Sequence, residues 1–274
     1  MNSEEISLLS ALEQLREFGR RLQGRTAVVF LDYDGTLTPI VSRPELARIT
    51  PEMRALVGAL ADRCPVAIVS GRSRGKVEEF LGLENVIYAG GHGMDIAGPP
   101  ESRLRLKAGR EWRETMDGAH RKLAAALSGI PGAMVELNEY AVSVHYRLVN
   151  PTQIALVGAI VDRELRDFPK LRKVRGRMIW DIRPDIDWNK GRALLWIRER
   201  LGLHPGNSVA FYLGDDATDE DAFSALSEED VGILVASRPR VTAARYSLAN
   251  PSEVGRFLEG LIGILDDPSV EGRI

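Results

Sequence analysis

Residues 26–38, TAVVFLDYDGTLT, constrain the fold of this chain more than any other stretch. Five apolar residues, Ala27 to Leu31, run unbroken into Asp32-Tyr33-Asp34-Gly35-Thr36. A short apolar run closed by turn residues is the pattern of a strand covered on both faces, as in a parallel sheet. In open α/β sheets, chemistry gathers beyond the carboxyl ends of the strands. That position offers two aspartates one residue apart and a glycine that permits a sharp turn. Such a pair can bind a divalent cation, attack as a nucleophile or move a proton, and this stretch alone leaves all three open.

The same rhythm recurs along the chain. Apolar spacing at Ile6, Leu9, Leu12, Leu15 and Phe18 predicts an amphipathic helix over 3–22. Thr50-Pro51-Glu52 predicts a helix start, with the helix running to about Arg63. Val66 to Val69 reads as a second buried strand ending at Ser70-Gly71-Arg72, and a helix follows to Leu81. Val86 to Ala89 reads as a third strand, ending at Gly90-Gly91-His92-Gly93-Met94-Asp95. After Gly98-Pro99-Pro100 the order becomes helix (110–128), two strands (134–137, 141–147), helix (151–168) and two strands (171–174, 177–182). The first rhythm resumes at Asn189-Lys190-Gly191. It continues through a helix to Gly202, a strand at 209–213, a helix at 221–226, a strand at 231–235 and a helix near 251–265. The expectation is an α/β fold. A doubly wound, Rossmann-like parallel-sheet core spans 1–98 and 184–274, and an inserted α+β cap domain spans 99–183.

Charge and cysteine content exclude several classes of function. Lys plus Arg total 36 and Asp plus Glu total 39, so no basic excess points to nucleic acid. A single cysteine, Cys64, allows no intrachain disulfide and fits a reducing compartment. Glu4 and Glu5 stand where a signal peptide would be basic, and no apolar run is long enough to span a bilayer. A cytoplasmic protein without nucleic-acid or membrane partners is expected.

Four segments converge on one sheet edge: Asp32 with Asp34, Ser70, Lys190 at a helix start, and Asp215, Asp216 and Asp219 after a strand. Carboxylates, a hydroxyl and a lysine make a site for a phosphate and a hard cation, and oxygen ligands suit Mg²⁺. Lys190 and Ser70 would hold the phosphoryl oxygens. With these motifs on the page, the chain resembles the haloacid dehalogenase superfamily and, within it, the trehalose-6-phosphate phosphatases. The matching stretches are FLDYDGTLTPI, SGR, YAGGHGMDIAGP, VSVHYR, DIRPDIDWNKGRAL, YLGDDATDEDAF and YSLANPSEV.

The resemblance implies a Mg²⁺-dependent phosphatase acting on trehalose 6-phosphate through an aspartyl-phosphate. Asp32 matches the nucleophile and Asp34 the general acid/base. Ser70 and Lys190 match the phosphate-binding residues. Asp32, the main-chain carbonyl of Asp34, and Asp215 match the metal ligands, with Asp216 and Asp219 behind them. Residues matching Arg72, His92, Gly93, Asp95, Glu136, Arg147 and Arg183 take part in substrate binding, and the cap lies over the sugar. A trehalose-6-phosphate synthase is the implied pathway partner, and the expected assembly is a monomer or weak dimer. Two departures bear on the sugar: no lysine follows Glu136 within Leu137-Asn138-Glu139, and Asp181 stands where the family often has glutamate. They keep open a different sugar phosphate, such as sucrose phosphate or a glucosyl- or mannosyl-glycerate phosphate. A non-catalytic sugar-phosphate-binding regulatory module is the remaining alternative.

Overall fold

The structure, a computed structural model, describes residues 8–267 except 42–45, 109, 177 and 239. Its elements in chain order are β1 (Leu9–Ser10), α1 (Leu15–Leu22), β2 (Thr26–Leu31), α2 (Pro51–Ala61), β3 (Val66–Val69), α3 (Arg74–Leu81), β4 (Ile87–Gly90), β5 (Asp95–Ala97) and β6 (Arg105–Lys107). There follow α4 (Arg113–Leu127), β7 (Met134–Asn138), β8 (Ala141–His145), α5 (Ile154–Leu165), β9 (Leu171–Gly176) and β10 (Ile179–Pro184). The last are α6 (Lys190–Arg200), β11 (Ser208–Gly214), α7 (Glu220–Ala225), β12 (Val231–Val235), β13 (Tyr246–Leu248) and α8 (Pro251–Leu265).

Nine strands form one sheet in the order β1-β13-β12-β11-β2-β3-β4-β5-β6. From β1 to β4 every neighbouring pair is parallel, and β5 runs antiparallel to β4. Strand alternation then explains why the central strands read as unbroken apolar runs. Ala27, Val29 and Leu31 of β2 face one layer with α1, α2, α3 and α8, while Val28 and Phe30 face the other with α6 and α7. Both sets must be apolar because both faces are covered. Thr50 caps α2 by accepting from the Met53 amide, and Pro51 occupies the first turn where no donor is needed.

The predicted helix over 3–22 is corrected at its start; residues 3–7 lie outside the described residues. Leu9 and Ser10 instead pair in parallel with Tyr246 and Ser247, and the helix begins at Leu15. Short apolar runs fit either periodicity, and here a free sheet edge supplied the backbone partners. The short strands β1, β5, β6 and β13 went unread for the same reason: two or three residues carry no period.

The chain divides into two compact units, Met1–Leu106 with Trp188–Ile274, and Lys107–Asp187. These bounds differ from the expected 98/99 and 183/184. Gly98-Pro99-Pro100 leads into a turn within the sheet: the Gly98 amide bonds Leu104 O at 3.0 Å, and Leu104 is buried in the α6/α7 layer. On the return side, Pro184 still pairs with Leu171 in the inserted sheet.

The inserted unit is an antiparallel sheet, β7-β8-β10-β9, with α4 and α5 on one face. Val142, Val144 and Ile182 point into its core against Leu123, Val157 and Val161. The alternate residues of the same strands, Ser143, His145, Asp181 and Arg183, share the opposite face. Among the described residues no helix is long and apolar enough to cross a membrane.

Phe18 is fully buried and meets Phe211, Tyr246 and Phe257 edge-on, with ring centroids 5.7, 5.0 and 6.1 Å away. Phe18→Ala therefore opens a cavity between α1, α8 and the sheet. It is expected to cost about 3–5 kcal/mol in urea unfolding.

Candidate active site

Strands β11, β2 and β3 lie side by side, so their carboxyl ends bring Asp215, Asp32 and Ser70 to one edge. The chain winds outward from β2 through β3 and β4 to one side. It later returns to β11 and winds through β12 and β13 to the other. The β2/β11 boundary is thus the topological switch point, where such sheets bind ligands. Asn189 caps α6 by accepting from the Arg192 amide, and the helix's first residue, Lys190, reaches into the same place.

The Lys190 ammonium is 3% exposed and donates to Asp32 Oδ1 and to Asp219 Oδ1, each at 2.7 Å. Asp219 is fully buried and accepts three further bonds: Tyr212 Oη at 2.6 Å, and the Asp215 and Asp216 amides at 3.1 and 2.9 Å. Asp216 caps the short turn that follows by accepting from the Ala217 amide at 2.6 Å. Two glycines permit the close packing. A Cβ on Gly35, whose φ is +88°, would lie 2.1 Å from Asp215 Oδ2, and one on Gly214 would lie 2.3 Å from Asp219 Cγ.

Crowding of carboxylates sets the electrostatics. One oxygen each of Asp32, Asp215 and Asp219 falls within 4.8 Å of the others. Burial pushes the Asp32 carboxyl well up; Lys190 opposes the shift, and Asp219 and Asp215 add to it. Burial, then Asp219 and Asp216, push Asp215 up to about 7. Burial works against the Lys190 charge, but Asp219 and Asp32 outweigh it and hold the ammonium protonated. One lysine does not balance three acids. Asp219 has four bonds on its two oxygens and little capacity left. Among the described residues no donor reaches the Asp215 carboxylate. Asp32 and Asp215 therefore offer the hard oxygen ligands that suit a divalent cation, and the donor set fits one.

The other expected residues fall into three groups. Ser70 is buried, and its Oγ accepts from the Arg72 amide at 3.1 Å, leaving its hydroxyl proton free to donate. Arg72 grips both oxygens of Asp34. His92 adopts a left-handed φ of 58°, and its ring lies so close to Gly71 that a Cβ there would sit 2.7 Å from Cε1. Gly93 O accepts from the Trp188 indole at 2.8 Å. Asp95 is 3% exposed and pairs with Arg74 at 3.0 Å, an engagement within the fold. In the inserted unit, Glu136 pairs with His145 at 3.0 Å, Arg183 with Asp181 at 2.7 Å, and Arg147 is exposed.

Sequence reasoning missed two contributors. Tyr212 is the single polar side chain in the otherwise apolar stretch 209–213, and that position just before the acid cluster was its available signal. Arg240 donates to Asp216 O at 3.0 Å from a loop more than twenty residues away, which no local pattern reveals.

The family model described as trehalose-phosphatase matches residues 30–252. A probable trehalose-phosphate phosphatase of Oryza sativa subsp. japonica is 43% identical over 259 residues, covering 92% of this chain and 70% of the relative. A trehalose 6-phosphate phosphatase of Zea mays is 42% identical over 267 residues, covering 92% and 74%. Among solved structures, the C-terminal domain of the Candida albicans trehalose-6-phosphate phosphatase aligns with a TM-score of 0.76 at 24% identity. That alignment covers 94% of this chain and 99% of that one and bears on the fold.

Asp215 carries a folded-state pKa raised from 3.8 to about 7, so the cation-free folded protein holds that proton more tightly than the unfolded chain. Its contribution to stability therefore falls as pH rises across that window. Thermal unfolding in EDTA should show a midpoint declining between about pH 4 and about pH 7. Added Mg²⁺ should flatten the decline, and Asp215→Asn should remove this component of it. Gly35→Ala, which drives a methyl group into Asp215, is expected to fold yet lose the midpoint shift caused by Mg²⁺.

Proposed function

The chain belongs to the trehalose-phosphatase family, and on that premise we propose that it hydrolyses trehalose 6-phosphate to trehalose and phosphate with Mg²⁺ as cofactor. The observation that carries the mechanism is the buried Lys190 ammonium shared by Asp32 and Asp219 beside Asp215. It orients one carboxylate at the switch point and leaves a third N–H unused.

Asp32 attacks phosphorus in line with the sugar oxygen. As the Asp32 O–P bond forms, the P–O bond to the sugar breaks and Asp34 gives its proton to the departing oxygen. The third N–H of Lys190 and the Ser70 hydroxyl hold phosphoryl oxygens as charge redistributes. Water then attacks phosphorus, Asp34 takes up the water proton, and the bond to Asp32 breaks to restore the carboxylate. Asp32, the Asp34 carbonyl and Asp215 would hold Mg²⁺, which would supply positive charge against the transferring phosphoryl group. Asp219, locked by Lys190, Tyr212 and two amides, holds the acid loop and the lysine in register.

Glu136, Arg147 and Arg183 are the inserted unit's candidates for sugar contact. One observation favours a second reading, a different sugar phosphate. Asp181 is bound by Ser143 Oγ at 2.6 Å and by Arg183, and Ser143 in turn accepts from Asn138 at 3.2 Å. A shorter acid, pinned on both oxygens, presents a different surface from a glutamate. A regulatory module without catalysis is disfavoured by the intact set of Asp32, Asp34, Lys190 and Asp215.

Phosphate release from a panel of sugar phosphates, with Mg²⁺ and with EDTA, tests the reading. Trehalose 6-phosphate should be the preferred substrate and EDTA should abolish release. Asp32→Asn should lower turnover roughly 10⁴-fold or more, as expected for loss of a covalent nucleophile, with the circular dichroism spectrum unchanged. Preference for another sugar phosphate would keep the catalytic assignments and move the correction to Asn138, Glu139 and Asp181. Substantial turnover by Asp32→Asn would falsify the nucleophile.

A further inference from the structure

The contact between Arg72 and Asp34 is tighter than a role in sugar binding needs. Arg72 Nε donates to Asp34 Oδ2 at 2.6 Å and Nη2 donates to Oδ1 at 2.5 Å, so one fork closes on the other. The guanidinium side chain is 10% exposed and the Asp34 side chain 41%. Arg72 also lies over the rings of Phe80 and Tyr33, 5.3 and 5.7 Å from their centroids. Its amide donates to Ser70 Oγ, which ties it to the turn that offers the phosphate-binding hydroxyl.

A carboxylate whose two oxygens both accept from a guanidinium has neither oxygen free to meet a leaving group. Asp34 must therefore be released before it can act as the acid. Release needs a competitor that matches the guanidinium fork, and a phosphoryl group does so as well as a carboxylate. The resting pair and the substrate thus compete for one residue.

We propose that Arg72 works as a substrate-responsive latch. It holds Asp34 in the resting enzyme, then transfers to the phosphoryl group of the arriving substrate and frees Asp34 for proton transfer. The exchange involves hydrogen bonds alone. This inference rests on the phosphatase reading and adds to it a coupling between phosphate capture and release of the acid.

Such a latch penalises phosphate binding, because the Asp34 pair must be given up first. Removing the Asp34 charge removes the penalty only while Arg72 is present. The test is calorimetric titration of inorganic phosphate into the Mg²⁺-loaded protein as wild type, Asp34→Asn, Arg72→Ala and the double variant. Asp34→Asn should tighten phosphate about five-fold, the scale of a partly exposed ion pair, and the gain should vanish in the Arg72→Ala background. Arg72→Lys keeps the charge but loses the fork, and it serves the same comparison if Arg72→Ala does not fold. An equal gain in both backgrounds would reflect general loss of negative charge and would overturn the latch. So would the absence of any gain from Asp34→Asn alone. In either case, hydrolysis by the wild type would leave the phosphatase reading standing. A wild type that neither binds phosphate nor releases it from any sugar phosphate would overturn both.

Discussion

A lysine ammonium taken out of water and shared by two aspartates is the interaction on which this site depends. Lys190, Asp32 and Asp219 are each at least 95% buried. Unpaired, any one of them would carry a desolvation cost of several kcal/mol. The crowding of Asp215 against them raises the cost of ionising both Asp32 and Asp215. Asp219 bears the larger structural share, because it also bonds Tyr212 and the two amides of the acid loop. Breaking the cluster by removing one partner would strand the others, which couples the position of Asp32 to that of the loop beside it.

The sheet makes this cluster possible. Both faces of β2 and β11 are covered, so side chains within these strands are committed to packing: Tyr212 reaches Asp219 with its hydroxyl while its ring meets Phe223 edge-on at 5.5 Å. Polar groups are free to gather only where the strands end. Gly35 and Gly214 then let backbone and carboxylates approach to distances that a side chain would forbid. The same economy appears in the turn after β3, where Ser70, Arg72 and the His92 ring occupy one small volume around Gly71.

The inserted unit solves a different problem with a different sheet. One face packs on α4 and α5, and the other displays Glu136, Asn138, Ser143, His145, Asp181 and Arg183 as paired polar groups. Pairing restricts the rotamers open to these side chains.

Much was legible without coordinates. Apolar runs ending in Asp32, Ser70 and Asp215 marked buried strands and the edge where their polar groups gather, because a strand covered on both faces has nowhere else to put polar groups. Thr50-Pro51 marked the start of a helix whose first donors need an acceptor. By itself, then, the sequence determined the longer helices and buried strands and the doubly wound core with its insertion, and it named candidates for phosphate chemistry. Only the tertiary structure decided that β2 lies between β11 and β3, that Lys190 reaches Asp32 across 158 positions, that Tyr212 anchors Asp219, and that Arg72 closes on Asp34. The physical reason is that periodicity and capping are local, set by neighbours within a few residues. Strand order and buried ion pairs are settled by which distant surfaces can exclude water together.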